Sequence, residues 1–248
     1  MKGKTIVLHI PHSSRSVAEG ERSGLLLDEA ALELELDVMT DSFTDRLFPQ
    51  VDREWGRVVF PVSRLVCDPE RFPEDKDEPM SAKGMGAIYI STSAGSLLRS
   101  LPNLSERRRI LDAWYFPHHT RLAEEVESCL VANGHCLVID CHSFPDLPLP
   151  YEDDQITARP DFCIGTDAYH TLEFLAGGLV SSLRASGYSA SINFPFAGAL
   201  VPLRFYRRDT RVQAVMIEVN RKLYMDQALQ RPSSNFGTIR TVIEGLLR

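Results

Sequence analysis

The 248-residue sequence predicts an α/β fold, a mostly parallel mixed sheet with helices on both faces. Three observations lead there. Short apolar runs rich in β-branched residues alternate along the chain with longer stretches of helical periodicity. Three of the runs end in histidine or glutamate, and open α/β sheets place their ligands at the carboxyl ends of strands. No composition break, repeat or low-complexity tract divides the chain, so residues 1–248 read as a single three-layer domain.

The elements follow in order. Thr5 to Ile10 is a buried strand that Pro11 ends, because proline cannot donate to a sheet ladder. Asp28 caps a helix that runs to about Phe48 and puts Asp37, Asp41 and Asp45 on one face at i, i+4 and i+8. Arg57 to Val62 is a second strand. Residues 69–86, rich in proline, glycine and charge, form a long loop of the kind that is usually functional or mobile. Ser105 opens the longest helix, to about Ala132, with Pro117 kinking it and Gly134 ending it. Cys136 to Cys141 is the clearest buried strand, and it delivers His142. Asp161 to Thr166 (strand), Tyr169 to Ser186 (helix), Tyr188 to Asn193 (strand) and Gln213 to Val219 (strand) follow. Ser234 or Asn235 caps a closing helix to Leu247.

Composition narrows the function classes. A net charge of −7 argues against nucleic acid or an anionic membrane surface as partner. No apolar run approaches the ~18 residues of a membrane span, and the basic start at Met1–Lys4 lacks the apolar core of a signal peptide. A cytoplasmic protein is expected. Cys67, Cys129, Cys136, Cys141 and Cys163 contain no C-x-x-C pair and read as reduced, mostly buried thiols.

Three strand ends carry the unusual residues: His9 and His12, Asp140 with His142, and Glu218. Two imidazoles and one carboxylate make up the ligand set of catalytic zinc, which keeps a fourth position open for water. Glu218 suits a general base, with a structural ion pair to Arg221 as the alternative. The acidic helix face is either solvated or set opposite something positive at one of its carboxylates.

Five motifs occur in register along nearly the whole chain: His-Ile-Pro-His-Ser-Ser, Thr-Asp-x-x-x-Asp-Arg-Leu-Phe, Ser-Arg-Leu-Val-Cys-Asp-x-x-Arg, Ile-Asp-Cys-His-Ser and Ile-Glu-Val-Asn-x-x-Leu-Tyr-Met. Together they resemble the N-formylglutamate amidohydrolase family, whose fold is similar to that of zinc carboxypeptidases. The resemblance implies that His12, Asp41 and His142 bind Zn²⁺ or another divalent metal, with His9 as the second-choice ligand. It implies Glu218 as the catalytic base and His119 as an oxyanion-stabilising catalytic residue, or else a packed helix histidine. Arg64, Arg71, Arg204 and Ser13 would bind a small anionic N-acyl amino acid, since guanidinium grips carboxylates bidentately. Asp140 would orient His142.

On this resemblance the expected reaction is zinc-dependent hydrolysis of the amide of N-formyl-L-glutamate, or of a close N-acyl amino acid, to formate and glutamate in amino-acid catabolism. Two readings stand beside it: a carboxypeptidase-like zinc hydrolase of a peptide or γ-glutamyl amide, and a catalytically silent ligand-binding domain of the same fold. The loops at 72–86 and Phe144–Tyr151 depart from the substrate-specific members and leave the acyl group and the amino acid open.

Overall fold

The computed structural model describes residues 5–49 and 55–247. Among these, six strands form one sheet: β1 (Ile6–Ile10), β2 (Trp55–Val59), β3 (Cys136–Phe144), β4 (Phe162–Thr166), β5 (Ala190–Ile192) and β6 (Val212–Asn220). The spatial order is β2-β1-β3-β6-β4-β5. The first four in that order run parallel, β4 lies antiparallel to β6, and β5 lies parallel to β4. The helices are α1 (Glu19–Arg22), α2 (Glu29–Met39), α3 (Thr44–Leu47), α4 (Leu104–Ile110), α5 (Phe116–Asn133), α6 (Glu173–Ala185) and α7 (Phe236–Leu246). A short hairpin, β7 (Met225–Asp226) with β8 (Arg231–Pro232), precedes α7.

Strand alternation divides the sheet into two cores. Ile6, Leu8, Ile10, Ile139, Val215 and Ile217 face α3, α6 and α7, where Leu47, Leu183 and Ile243 are fully buried. Val7, Val58, Val138 and Ala214 face α5 and pack on Leu122 and Val126. The result is the expected three-layer α/β architecture. All five cysteines are buried and none forms a disulfide.

Several boundaries differ from the sequence reading, each for a physical reason. α2 begins as expected, with the Asp28 side chain accepting from Ala31 N at 2.8 Å, but it stops at Met39. Thr40 turns extended, Asp41 N donates to the His12 carbonyl at 2.9 Å, and Phe43 takes a φ of 66° before α3 starts. Asp41 N–H and the Ser42 carbonyl, which accepts from the Tyr224 hydroxyl at 2.9 Å, thus find partners outside the helix, and the three aspartates do not share a helical face. Asp37 pairs with Arg15 at the surface, whereas Asp41 is buried.

The long helix begins one residue before Ser105. A reciprocal capping box joins Asn103 and Glu106 at its start, and it ends on Gly134 at φ 77°. Its interior is interrupted by a π turn over Leu111–Tyr115 rather than a simple kink, and this wide turn leads into Pro117 in the first turn of α5. The 69–86 stretch contains two short 3₁₀ turns, Asp75–Asp77 and Pro79–Lys83. Buried Val66, Cys67, Ala87 and Ile88 anchor it at both ends. β3 and β6 both run past their expected ends because they pair with each other, from Cys136 opposite Val212 to Phe144 opposite Asn220. β2 lies earlier than expected, closing before Pro61 removes a donor.

One close approach ties the antiparallel edge to the loop before β6. A Cβ at Gly165 would sit 2.2 Å from the Gly198 carbonyl oxygen and 2.4 Å from the Met216 methyl. Backbone cannot yield there as a flexible side chain can. Gly165→Ala is expected to destabilise the protein by about 1–3 kcal/mol, the range of core overpacking. Chemical denaturation would measure it, and an unchanged midpoint would show that the loop moves freely.

Candidate active site

Along the α5 face the strands become polar toward one rim. Val138, Asp140 and His142 share that face of β3, and Ala214, Met216 and Glu218 that face of β6. The register sets His9 opposite Asp140 and His142 opposite Glu218. His12 follows just after Pro11, and its ring centroid lies 5.0 Å from that of His142. Segments over a hundred residues apart therefore meet at one place because their strands are neighbours in the sheet.

Both histidines have one nitrogen committed. His12 Nε2 donates to Asp68 Oδ1 at 2.9 Å, and His142 Nδ1 donates to Asp41 Oδ2 at 3.0 Å. The remaining nitrogens, Nδ1 of His12 and Nε2 of His142, are buried without a hydrogen-bond partner, and so is Oε1 of Glu70. Ligand-type atoms of His12, Glu70 and His142 lie within 4.8 Å of one another. Two imidazole nitrogens and a carboxylate, each histidine oriented through its far nitrogen, fit a catalytic divalent metal such as zinc.

A second group, His9, Glu70 and Asp140, also lies within 4.8 Å. Its atoms are better satisfied. His9 Nδ1 donates to Asp140 Oδ1 at 2.8 Å, and its Nε2 meets His118 Nε2 at 2.8 Å. Asp140 Oδ2 accepts from Leu200 N at 3.0 Å. His9 is thus spent on the protein, while the His12 set keeps unpartnered atoms.

The carboxylate of the group differs from the sequence expectation. Asp41 sits on the far nitrogen of His142 and also accepts from Ser143 N at 3.2 Å and Arg221 Nη2 at 3.1 Å. Glu70 occupies the near side instead, with Oε2 3.1 Å from His142 Nε2. Sequence reading missed Glu70 because it lies in a charged loop that looks solvated. Its one signal is its position between buried Asp68 and a second arginine, Arg71. Asp68 and Arg221 were also missed as site residues, since the contacts that bring them to the site, Asp68 to His12 and Arg221 to Asp41, join residues remote in sequence.

Charge is concentrated here. Burial alone would lower the His142 imidazole, but Glu70 and Asp140 outweigh it and hold the group well above its ordinary value. Burial would likewise raise Asp68, yet Arg64 with His12 keeps it well below the usual carboxylate range. Glu218 behaves oppositely. Burial pushes it up to about 8, with the Asp41 and Glu70 charges adding to the effect against His142, and its Oε2 has no partner.

These groups open on a cavity of about 350 Å³ lined by His12, Glu70, His142, Glu218 and the cations Arg64, Arg71, Lys83 and Arg221. Arg64 holds Asp68 Oδ2 through Nη2 at 2.8 Å, and Arg71 has an unpartnered Nε. Three expected residues lie elsewhere. Arg204 is exposed and paired with Glu127, because the turn Pro202–Phe205 buries Phe205 and turns Arg204 outward. Ser13 is not among the cavity-lining residues. His119 donates from Nε2 to the Pro69 carbonyl at 2.8 Å and borders a different cavity. Burial lowers its pKa to about 4, so it is neutral with its only N–H spent, and it has no donor for an oxyanion.

Comparison with known proteins bears on this geometry. A family model described as N-formylglutamate amidohydrolase matches residues 4–225. An N-formylglutamate deformylase from Pseudomonas putida is 25% identical over 233 residues, covering 90% of this chain and 82% of that protein. The crystal structure of an N-formylglutamate amidohydrolase from Ralstonia eutropha superposes with a TM-score of 0.80 at 22% identity, covering 99% of this chain and 92% of that one. A gene product from Agrobacterium tumefaciens has a TM-score of 0.70 at 19% identity, covering 98% and 90%.

With its pKa near 8 in the fold and the ordinary 4.5 when unfolded, Glu218 keeps a proton that the unfolded chain has released across that window. Its contribution to stability is present below about pH 4.5 and is lost as pH rises through about 8. Glu218→Gln has no proton to lose. In the metal-free protein its melting temperature should exceed that of wild type at pH 8, with the gap closing toward pH 5. Thermal denaturation at both pH values decides this; a gap independent of pH would mean that Glu218 is charged throughout.

Proposed function

The chain belongs to the N-formylglutamate amidohydrolase family, and on that premise we propose that it is a metal-dependent hydrolase of the amide of N-formyl-L-glutamate or a close N-acyl amino acid. The observation that carries this reading is the convergence of three buried donor atoms without hydrogen-bond partners, from His12, Glu70 and His142, in a cavity that Glu218 also lines.

His12 through Nδ1, His142 through Nε2 and Glu70 would hold the metal, with zinc the best match to two imidazoles and a carboxylate. Bound there, zinc supplies Lewis acidity toward the amide carbonyl and acidifies a water. The chain's own residues do the rest. Glu218 takes the proton from the attacking water and returns it to the amide nitrogen as the C–N bond breaks, yielding formate and glutamate from the formyl substrate. Asp68 and Asp41 keep both histidines in the required tautomers. Arg71 and Arg64 receive the carboxylates of the amino-acid half, and a pocket of this size suits such a small dianion. A silent binding module would have no use for a base in this position, and amino-acid catabolism in the cytoplasm is the setting the reading implies.

Substitutions separate these roles. Glu70→Gln should lose bound metal, and Asp41→Asn should weaken it about 10–100-fold, as for partners that orient ligands. Glu218→Gln should keep full metal content but lose about 10²–10⁴ in kcat. Elemental analysis beside turnover of N-formyl-L-glutamate, with and without a chelator, measures all three. Full metal in Glu70→Gln, or wild-type rate in Glu218→Gln, overturns the assignment.

A further inference from the structure

A second cavity of about 340 Å³ adjoins the first. The two share Glu70, Arg71, Ala197 and Met216 as walls, so they meet beside the carboxylate proposed to hold the metal. Their chemistry differs. The first is strongly polar, with Arg64, Arg71, Lys83 and Arg221 set among carboxylates and the two histidines. The second is walled by Phe72, Leu200, Val201, Leu203, Tyr206 and Met216.

Away from the junction with the first cavity, the charged residues bordering the second are already engaged within the protein. Glu78 accepts from Phe72 N and Met80 N, both at 2.9 Å. Asp167 accepts from Tyr169 N at 2.8 Å and His170 N at 2.9 Å. Asp140 is held by Leu200 N and His9, and His119 is neutral with its N–H on the Pro69 carbonyl. Glu70 Oε1 and Arg71 Nε have no hydrogen-bond partner, but both residues stand at the junction, where they belong to the first cavity too; away from it the remaining such atom is His119 Nδ1, on a neutral ring. The space therefore suits an uncharged, apolar group.

A formyl group is about the size of a water molecule, whose share of volume is roughly 30 Å³, and leaves such a space unused. We propose that the second cavity receives the acyl half of an N-acyl amino acid, and that the preferred substrates of this chain carry a medium-length aliphatic or aromatic acyl group in place of formyl. The inference rests on the hydrolase reading above and narrows its substrate. The reaction balances as simple hydrolysis: water's oxygen goes to the acyl carbon, its proton to the released amine, and no co-reactant is needed. Burying one methylene is worth about fourfold in binding, so a hexanoyl chain has ample leverage over formyl.

The test compares kcat/KM of the metal-loaded enzyme on N-formyl-, N-acetyl-, N-hexanoyl- and N-benzoyl-L-glutamate. Hexanoyl or benzoyl substrate should exceed formyl by at least about tenfold. Leu203→Trp, a substitution at a half-exposed position that fills the cavity, should cut the hexanoyl and benzoyl values at least about tenfold more than the formyl value. As a readout independent of turnover, calorimetry on Glu218→Gln should show hexanoyl-glutamate binding at least about tenfold tighter than formyl-glutamate. Turnover of the formyl substrate with no gain from larger acyl groups would overturn the inference and leave the hydrolase reading standing. An equal effect of Leu203→Trp on every substrate would overturn the placement of the acyl group. No cleavage of any of the four would sink both.

Discussion

Asp68 is fully buried, and a carboxylate without water must find its hydrogen bonds inside the protein or lose its charge. It finds them in His12 Nε2, the Arg64 guanidinium, the Tyr89 hydroxyl and the backbone N–H of Glu70. Each donor fixes something the site needs. His12 is held in the tautomer that frees Nδ1, Arg64 is turned along the cavity wall, and the turn carrying Glu70 is pinned beside the histidines. Removing this one acceptor would leave a buried guanidinium and a misdirected imidazole together, so its cost cannot be divided among the separate contacts.

The sheet supplies the second constraint. Parallel pairing of β1, β3 and β6 puts His9, Asp140, His142 and Glu218 on one face without any loop having to position them. Groups held by strands are placed more firmly than groups on loops. Of the other members, Asp41 and Arg221 are tied by hydrogen bonds to β3, Asp68 to His12, and Glu70 through its backbone N–H to Asp68. The site is thus a rigid strand array completed by tethered loops.

How far the sequence could be read follows from this division. β-branched runs ending in His9-Ile-Pro-His12, His142 and Glu218 announced both the α/β class and the strand-borne groups, because period-two burial is written locally. The reversal of β4 against β6 was not legible, since nothing within a five-residue apolar run records its direction. The end of α2 at Met39 was missed because helical periodicity continues through Leu47, while the contact that stops it, Asp41 N to the His12 carbonyl, is tertiary. Glu70 was hidden in a charge-rich stretch, and what places it is the bond of its backbone N–H to Asp68 and its approach to His142, neither written in the local pattern. Arg204 and His119 fitted the family pattern, but the packing turns one outward and aims the other at a carbonyl.

The π turn at Leu111–Tyr115 reaches this centre too. Tyr115, its last residue, donates its hydroxyl to the Arg71 carbonyl at 2.9 Å, His118 meets His9, and His119 reaches Pro69. All three tethers stand on the helix face that the wide turn selects. Shortening the chain there by one residue would rotate every later side chain by about 100° around the axis and withdraw the three at once. The helix therefore acts as a phase setting for the loop that bears Glu70: its residue count, more than its composition, carries information about chemistry performed on the other side of the wall.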